Sequence, residues 1–445
     1  MLNFILKNLK DIKEKGLVIF FKKLNKLYKI IFNFIIYLPL FILFIPFYLF
    51  IRIISPFYLF RSQELLSSRV GHLAANIDLY LCEKKAGINQ PKIWHVDIFF
   101  KGKGKISNKY LFKLWKKKII ILPRILVYPI HQINKIFPNS TKFQVGTNSQ
   151  HDRDIHSLLD KTKPNIQLTN EEELIGKKLL KKLGLNDNDK FVCLIVRDSA
   201  YLPHLNYHDY RDGDISKYVL AINELTKLGY YVFRMGVKVK EPLITNNKMV
   251  IDYPTLNIRT DFYDIYLASR CEFCISTSTG FDALVSMFRK PICFITVPIG
   301  YIYTCSTNYI SISKKHVDKN LNIEISLEEI FKRNCGFSLD KKEYEDNSIE
   351  LIHNTEKEIL DLVIEMHLRL TNDIKYSIND NKIQRDFWNI FCKFSDKHCN
   401  QNNLLHGKIK SRIGNKFLTN NKNFIYKKNN EQFNNNSCKK KFKRY

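Results

Sequence analysis

Residues 275–285, Ile-Ser-Thr-Ser-Thr-Gly-Phe-Asp-Ala-Leu-Val, decide how this chain is read, because a buried-type strand runs through a Ser/Thr/Gly turn straight into an apolar helix. Such a turn is either a phosphate cradle or a Ser/Thr helix cap that binds nothing. In the first reading Gly280 lets backbone approach a ligand with no side chain in the way. The hydroxyls of Ser276, Thr277, Ser278 and Thr279 can donate to phosphate oxygens, and the helix start favours negative charge by roughly 0.3–1 kcal/mol.

The segments on either side alternate between strand and helix. Phe-Val-Cys-Leu-Ile-Val at 191–196 is a short apolar run, followed by a polar loop, an amphipathic stretch over 215–228, Gly229, and a second run at 230–234. The spacing then predicts a helix over 261–270, a strand over 272–276, the turn, a helix through Phe288, and a strand over 292–296 after Pro291. Runs this apolar are buried on both faces, which implies a parallel sheet with helices on each side. In such sheets ligands bind beyond the carboxyl ends of the strands, so the loops after Val196, Arg234, Ser276 and Thr296 are the ones to watch.

A chain of 445 residues with 45% apolar content is expected to hold two domains plus appendages. Upstream, a polar turn at 67–69 leads into a helical pattern over 73–85, strand-like 93–100, a helix over 109–118, a strand over 119–122 and a helix over 123–136, which describes a smaller α/β domain. Residues 138–168 are polar and turn-rich, and Thr169-Asn-Glu-Glu172 starts a helix as a capping box that ends at Gly184. Further helices are expected over 348–370 and 384–394. The resulting division is 1–61, a basic start and membrane anchor; 62–165, an N-terminal Rossmann-like domain; 166–395, a C-terminal Rossmann-like domain; and 396–445, a basic Asn/Lys-rich tail read as disordered.

The net charge is +28, and it concentrates at the ends: residues 1–29 hold eight lysines against Asp11 and Glu14, and residues 401–445 hold twelve Lys/Arg against Glu431. A nucleic-acid surface would place a basic stripe and stacking aromatics on one face of the fold, and that pattern is absent, so no nucleic-acid partner is expected. Residues 30–51 carry no charge and are long enough to cross a bilayer. Pro39 and Pro46 interrupt that helix, and apolar character continues to Phe60, so a kinked re-entrant or in-plane anchor is expected, leaving both flanks in the cytoplasm at the inner membrane. Ten cysteines lie without framework spacing; the single Cys271-x-x-Cys274 has no second pair, and no metal site is expected.

Gly71-His72-Leu73, Arg197-Asp198-Ser199, His208-Asp-Tyr-Arg211-Asp212, Arg234-Met-Gly236 and Ser276-Thr-Ser-Thr-Gly-Phe-Asp282 together resemble a family of bacterial surface-polysaccharide glycosyltransferases over about residues 62–395. The capping-box helix before Phe191 and the strand-Ser-Thr-Gly-helix-Pro element are also similar to heptosyltransferases. It departs from them in having Asp282-Ala283 where an acid-then-His pattern is expected, so their donor does not carry over. The resemblance implies the GT-B architecture: two Rossmann-like domains with parallel sheets facing a cleft, a nucleotide-sugar donor on the C-terminal one, an acceptor on the N-terminal one, and no cofactor or obligatory metal.

Under that resemblance the donor and its phosphates fall to Arg197, Asp198, His208, Arg211, Arg234, Gly236, Ser276–Gly280 and Asp282. Guanidinium grips phosphate oxygens with two prongs, and each arginine is otherwise a surface ion pair. Asp282 binds a ribose hydroxyl or only favours the helix dipole. His72 is the candidate base for the acceptor hydroxyl, with Arg69 and Gly71 beside it on the acceptor side; a histidine at a helix start is otherwise a cap. Asp212-Gly213-Asp214 resembles a metal-binding D-x-D, but Asp214 precedes a helix and reads as its N-cap. Partners implied are a nucleotide-sugar, a lipid-linked or glycan acceptor, and the membrane. Two other readings stay open: a CDP-linked polyol- or sugar-phosphate transferase, and a membrane-tethered scaffold with a degenerate nucleotide site.

Overall fold

In the computed structural model, residues 17–146, 153–201, 206–398 and 404–426 are described, with backbone alone for much of 17–37. The extreme ends of the chain, 1–16 and 427–445, thus lie outside the described residues, as does part of the polar stretch expected at 138–168. The order of elements is α1 (Leu17–Ile54), β1 (Tyr58–Leu65), α2 (Val70–Lys85), β2 (Trp94–Lys101), α3 (Lys109–Lys116), β3 (Ile120–Leu122), α4 (Arg124–Asn134), α5 (Asn170–Lys182), β4 (Lys190–Ile195), α6 (Val219–Lys227), β5 (Tyr230–Arg234) and β6 (Val250–Asp252). There follow α7 (Asp261–Arg270), β7 (Cys274–Ser276), α8 (Gly280–Met287), β8 (Ile292–Thr296), β9 (Tyr309–Ser313), β10 (Lys315–Asp318), β11 (Ile323–Glu324), α9 (Leu327–Lys332), α10 (Lys341–Asp346), β12 (Ile349–Ile352), α11 (Glu356–Leu370), α12 (Ile378–His398), β13 (Arg412–Ile413), α13 (Asn415–Asn420) and α14 (Lys422–Ile425).

The chain forms two compact units. The first comprises Met1–Ser68, Gly87–Ile106 and Phe112–Thr147. Its parallel sheet has the order β1-β2-β3, with β1 paired along its whole length from Tyr58↔Trp94 to Leu65↔Lys101. Ile51, Leu59 and Phe143 are buried together beneath it. Helix α1 runs unbroken through Pro39 and Pro46, where an interruption was expected; each proline removes one i→i−4 bond, and the neighbouring bonds carry the ladder past it. Among the described residues no helix is long and apolar enough to cross a membrane. The anchor expected at 30–51 falls in part outside them, since the side chains of 30–37 are not described.

The second unit comprises Arg69–Ala86, Ser107–Leu111 and Asn148–Tyr445. Helix α2 therefore belongs to it, although the strands before and after α2 belong to the first. Its sheet has seven strands in the order β13-β9-β8-β7-β4-β5-β6, every neighbouring pair parallel. The apolar runs are its interior: Val192, Leu194, Val232, Ile275, Cys293 and Ile310 pack in one core with Val363 of α11 and Phe387 of α12. The capping box before α5 is present, Thr169 accepting from the Glu172 amide while Glu172 accepts from the Thr169 amide.

Two stretches differ from expectation. The single helix expected over 348–370 is strand β12, antiparallel to β10, followed by α11, which starts at its own capping box on Thr355 and Glu358. Within the stretch read as a disordered tail, residues 404–426 are folded. Strand β13 adds to β9, and Ile413, Phe417, Leu418, Phe424 and Ile425 join the main core. Burial of those five apolar side chains outweighs the Asn/Lys composition around them.

Candidate functional site

From β4 the sheet grows one way through β5 and β6 and the other way through β7, β8 and β9, so the order reverses between β4 and β7. Strand order in open parallel sheets opens a crevice at such a point, beyond the carboxyl ends. Here those ends are knit together. Ile195 lies opposite Ser276, the Thr277 amide donates to the Ile195 carbonyl at 3.2 Å, and the Arg197 amide donates to Thr277 Oγ1 at 2.7 Å.

The turn itself is built differently from a hydroxyl cradle. Ser276 Oγ donates to Asp282 Oδ2 at 2.8 Å, and Ser278 Oγ donates to Thr296 Oγ1 at 2.8 Å. Thr279 caps α8, and Asp282 completes a capping box by accepting from the Thr279 amide at 2.8 Å. All four hydroxyls are thus engaged within the protein. The backbone remains: Ser278, at φ +58°, and Gly280 donate their amides to no protein acceptor among the described residues. Ser278 adopts a left-handed conformation uncommon outside glycine, and its bond to Thr296 holds it there.

Gly280 meets another helix start. A Cβ built on Gly280 would lie 2.9 Å from Val70 Cγ1 and 3.0 Å from the Gly71 nitrogen, and one on Gly71 would lie 3.0 Å from Gly280 Cα. The glycine pair lets α2 and α8 pack with their N-termini side by side. Arg69, the N-cap of α2, gives no side-chain cap, so the first amides of that helix add their positive end to those of α8. Gly71, read as an acceptor-side residue, and His72, read as the base, stand at the Ser276–Gly280 turn for this reason. His72 Nδ1 is buried with no hydrogen-bond partner.

Cationic side chains gather around this junction. His208 is held down to about 4, first by burial and then by the guanidinium groups of Arg211, Arg197 and Arg69. Arg211 Nη1 donates to the Ser278 carbonyl at 3.3 Å, and its Nε is buried without a partner, as is His208 Nδ1. Arg197 is within 2.9 Å of Asp212 Oδ1. Among the described residues neither Arg69 nor Arg211 has a carboxylate at ion-pair distance. An imidazole kept neutral beside three arginines, with orphaned donors and unbonded amides, is an environment that an anion would complete.

Other expected site residues are occupied elsewhere. Arg234 is 2% exposed and donates to the Glu241 carbonyl at 2.6 Å, beside Asp252. Gly236 packs against Val239 and Pro254. Asp198 accepts from the amides of Ala200 and Lys240, tying two loops. Asp214 accepts from the Ser216 amide and caps the short 3-10 turn Ile215–Tyr218. Cys271 and Cys274 are both buried, and burial pushes the Cys274 thiol well up. Among the described residues no group of three or more His, Cys, Asp or Glu is placed to hold a metal ion.

Lys314 was not anticipated. Its amine is buried, held down to about 8 by that burial, and donates to the carbonyls of Tyr210 at 3.0 Å and Asp212 at 2.5 Å, which fixes the turn carrying Arg211. Only the paired lysines at the end of the alternating Tyr309–Ser313 strand hint at it in sequence.

Asp282 is buried, and burial pushes its carboxyl up to about 7 from 3.8 despite the Ser276 hydroxyl, the Thr279 amide and Arg211. A raised carboxyl favours the folded state at low pH, and that stability is lost as pH climbs towards 7. Asp282→Asn keeps acceptors for both donors and has no charge to bury. Chemical denaturation of the two proteins is therefore expected to show the variant gaining about 2 kcal/mol on the wild type between pH 5 and pH 8. A difference constant across that range would mean that Asp282 is ionised throughout.

No protein-family model matches the chain, and no curated protein matches it in sequence. Among solved structures it is similar to a glycosyl transferase family 9 protein from Veillonella parvula, at 10% identity over 70% of this chain and 97% of that one, with a TM-score of 0.42. It is also similar to the Escherichia coli ADP-heptose lps heptosyltransferase II, at 11% identity over 69% and 99% of the two chains, with a TM-score of 0.37.

Proposed function

We propose that this protein is a glycosyltransferase that binds a nucleotide-sugar at the β4/β7 switch point and moves its sugar to a surface-polysaccharide or lipopolysaccharide acceptor, lipid-linked in the membrane. One observation supports the reading above all: two helix N-termini, one of them uncapped, abut at Gly71 and Gly280 among Arg69, Arg197 and Arg211. When a glycosyl donor breaks, negative charge builds on the departing diphosphate, and donors fixed in advance lower that barrier. The amides of Ser278 and Gly280 and the Arg211 guanidinium are the groups to receive it. His72, with Nδ1 unpartnered at the same junction, takes the proton of the acceptor hydroxyl. The basic and apolar residues 1–61 belong to the same proposal, as the attachment of a cytoplasm-facing enzyme to the inner membrane.

Calorimetry with ADP, UDP, GDP and CMP tests the donor half. One nucleoside diphosphate is expected to bind, and Arg211→Ala to weaken it tenfold to about a hundredfold, the cost of a charge-assisted hydrogen bond of about 1.5–3 kcal/mol. His72→Ala is expected to abolish transfer and keep nucleotide affinity; retained turnover removes it as the base. If none of the four binds to folded protein, the scaffold reading takes its place.

A further inference from the structure

We propose that the first unit seats on an anionic lipid bilayer through an apolar ridge formed by α1, β3 and the start of α4, with the lysine run before β3 lying over the headgroups. This extends the membrane attachment proposed above for residues 1–61 to β3, α4 and the lysine run, and it does not depend on the sugar-transfer half of that reading.

The ridge begins with the two sides of α1. On one side α1 is part of the fold: Phe41 meets Tyr128 at 6.5 Å, Tyr48 donates its hydroxyl to Asn134 Oδ1 at 3.0 Å, and Arg52 donates to the Pro138 carbonyl at 2.7 Å. Residues 41, 48 and 52 thus follow 128, 134 and 138 in step, which lays α1 alongside α4. On its other side Leu43 is 70% and Ile53 74% exposed, and Phe57 beyond its end is 79% exposed. Since Tyr48 and Ile51 are buried in protein, this part of α1 lies along the unit, with its outer side open.

Strand β3 and helix α4 extend the same character. Strand β3 is an edge strand, paired only with β2, and it shows apolar Ile120 and Leu122 where an edge ordinarily carries charge. Ile125, at the start of α4, is 55% exposed. Monomeric proteins rarely leave so many large apolar side chains open unless something covers them.

Charge identifies what covers them. From Ile98 to His151 the chain contains no Asp or Glu and eleven Lys/Arg. Lys113, Lys116, Lys117 and Lys118 are exposed, and among the described residues none lies at ion-pair distance from a carboxylate. Apolar side chains bordered by charge of one sign fit the boundary between acyl chains and acidic headgroups. A second copy of this chain would bring two such basic segments together, and like charges oppose that.

The test uses the full chain with vesicles of phosphatidylcholine, alone or mixed with phosphatidylglycerol. Hydrogen exchange of peptides spanning 116–126 is expected to slow about tenfold on the mixed vesicles. Replacing Lys116, Lys117 and Lys118 by Gln is expected to weaken partition onto mixed vesicles by on the order of a hundredfold, about 1 kcal/mol per lysine, and to leave phosphatidylcholine binding unchanged. Ile120→Ser with Ile125→Ser is expected to weaken both; these side chains are exposed, and a thermal melt verifies the fold. Vesicle binding with no slowing at 116–126 overturns the proposal. So does slowing that appears without lipid as protein concentration rises, which would make a second copy the occupant. Nucleotide binding is read separately, so either conclusion can fail while the other stands.

Discussion

Arg289→Ala is expected to cost the protein about 3–5 kcal/mol of stability, because it breaks a buried ion pair. Arg289 follows α8 at φ +62°, and its guanidinium reaches in several directions. It donates to Asp78 Oδ2 of α2 at 2.6 Å, to the Thr162 carbonyl at 3.0 Å, and to the Met287 carbonyl at the end of α8 at 2.7 Å. Asp78 is 1% exposed, with Asn165 as its other donor, and burial already pushes its carboxyl up. Removing the arginine leaves a buried acid with half its partners. That acid will take a proton in preference to staying charged. The variant's folded-state carboxyl then titrates higher still, so its deficit grows as pH rises, and denaturation at pH 6 and pH 8 reads that slope. Arg289→Lys keeps the charge without the fork and is expected to recover less than half of the loss. A deficit under about 1 kcal/mol at both pH values would contradict the assignment of Asp78 as a buried partner.

Under the proposed function, Gly280→Val is expected to lower nucleotide affinity by on the order of a hundredfold, the loss of two hydrogen bonds to a charged phosphate at about 1.5 kcal/mol each, and to cost about 1–3 kcal/mol of stability from overpacking. The Cβ would already crowd Val70 and the Gly71 nitrogen, and two further methyl groups push α2 away from α8. The two sets of helix-start amides then no longer lie side by side as the proposed nucleotide site requires. Gly71→Ala, a smaller intrusion against Gly280 Cα at 3.0 Å, keeps the test meaningful if the valine variant does not fold. Full nucleotide affinity in both variants would show that the junction is only packing.

Where local signals were strong, the sequence reading and the structure agree. Strands Tyr230–Arg234 and Ile292–Thr296 lie where continuous apolar runs meet Gly229 and Pro291, and Asp261–Arg270 is helical as its periodicity requires. Failures came from weighing one signal without its rival. The Thr355-x-x-Glu358 box places the start of α11 at Glu356, eight residues later than the helical pattern from Ser348 suggests. Residues 404–426 were judged by average composition, which hides a few apolar positions that a larger core absorbs.

The site was legible in its residues more than in its geometry. The Ser/Thr hydroxyls at 276–279 suit both a ligand and a helix cap, and only coordinates tell which partner each has taken. Strand order is a property of the whole sheet, so the reversal between β4 and β7 has no local signature. The meeting of Gly71 with Gly280 joins positions about two hundred residues apart in the chain, beyond any periodicity.

The chain passes back and forth between its two units at 68/69, 86/87, 106/107, 111/112 and 147/148. No single cut liberates either one intact. A recombination event that transplanted residues 166–395 alone would leave behind the helix that supplies Gly71 and Asp78, so its product would inherit an unroofed turn and an unanswered Arg289. Exchange of either unit as one contiguous segment would therefore break this architecture.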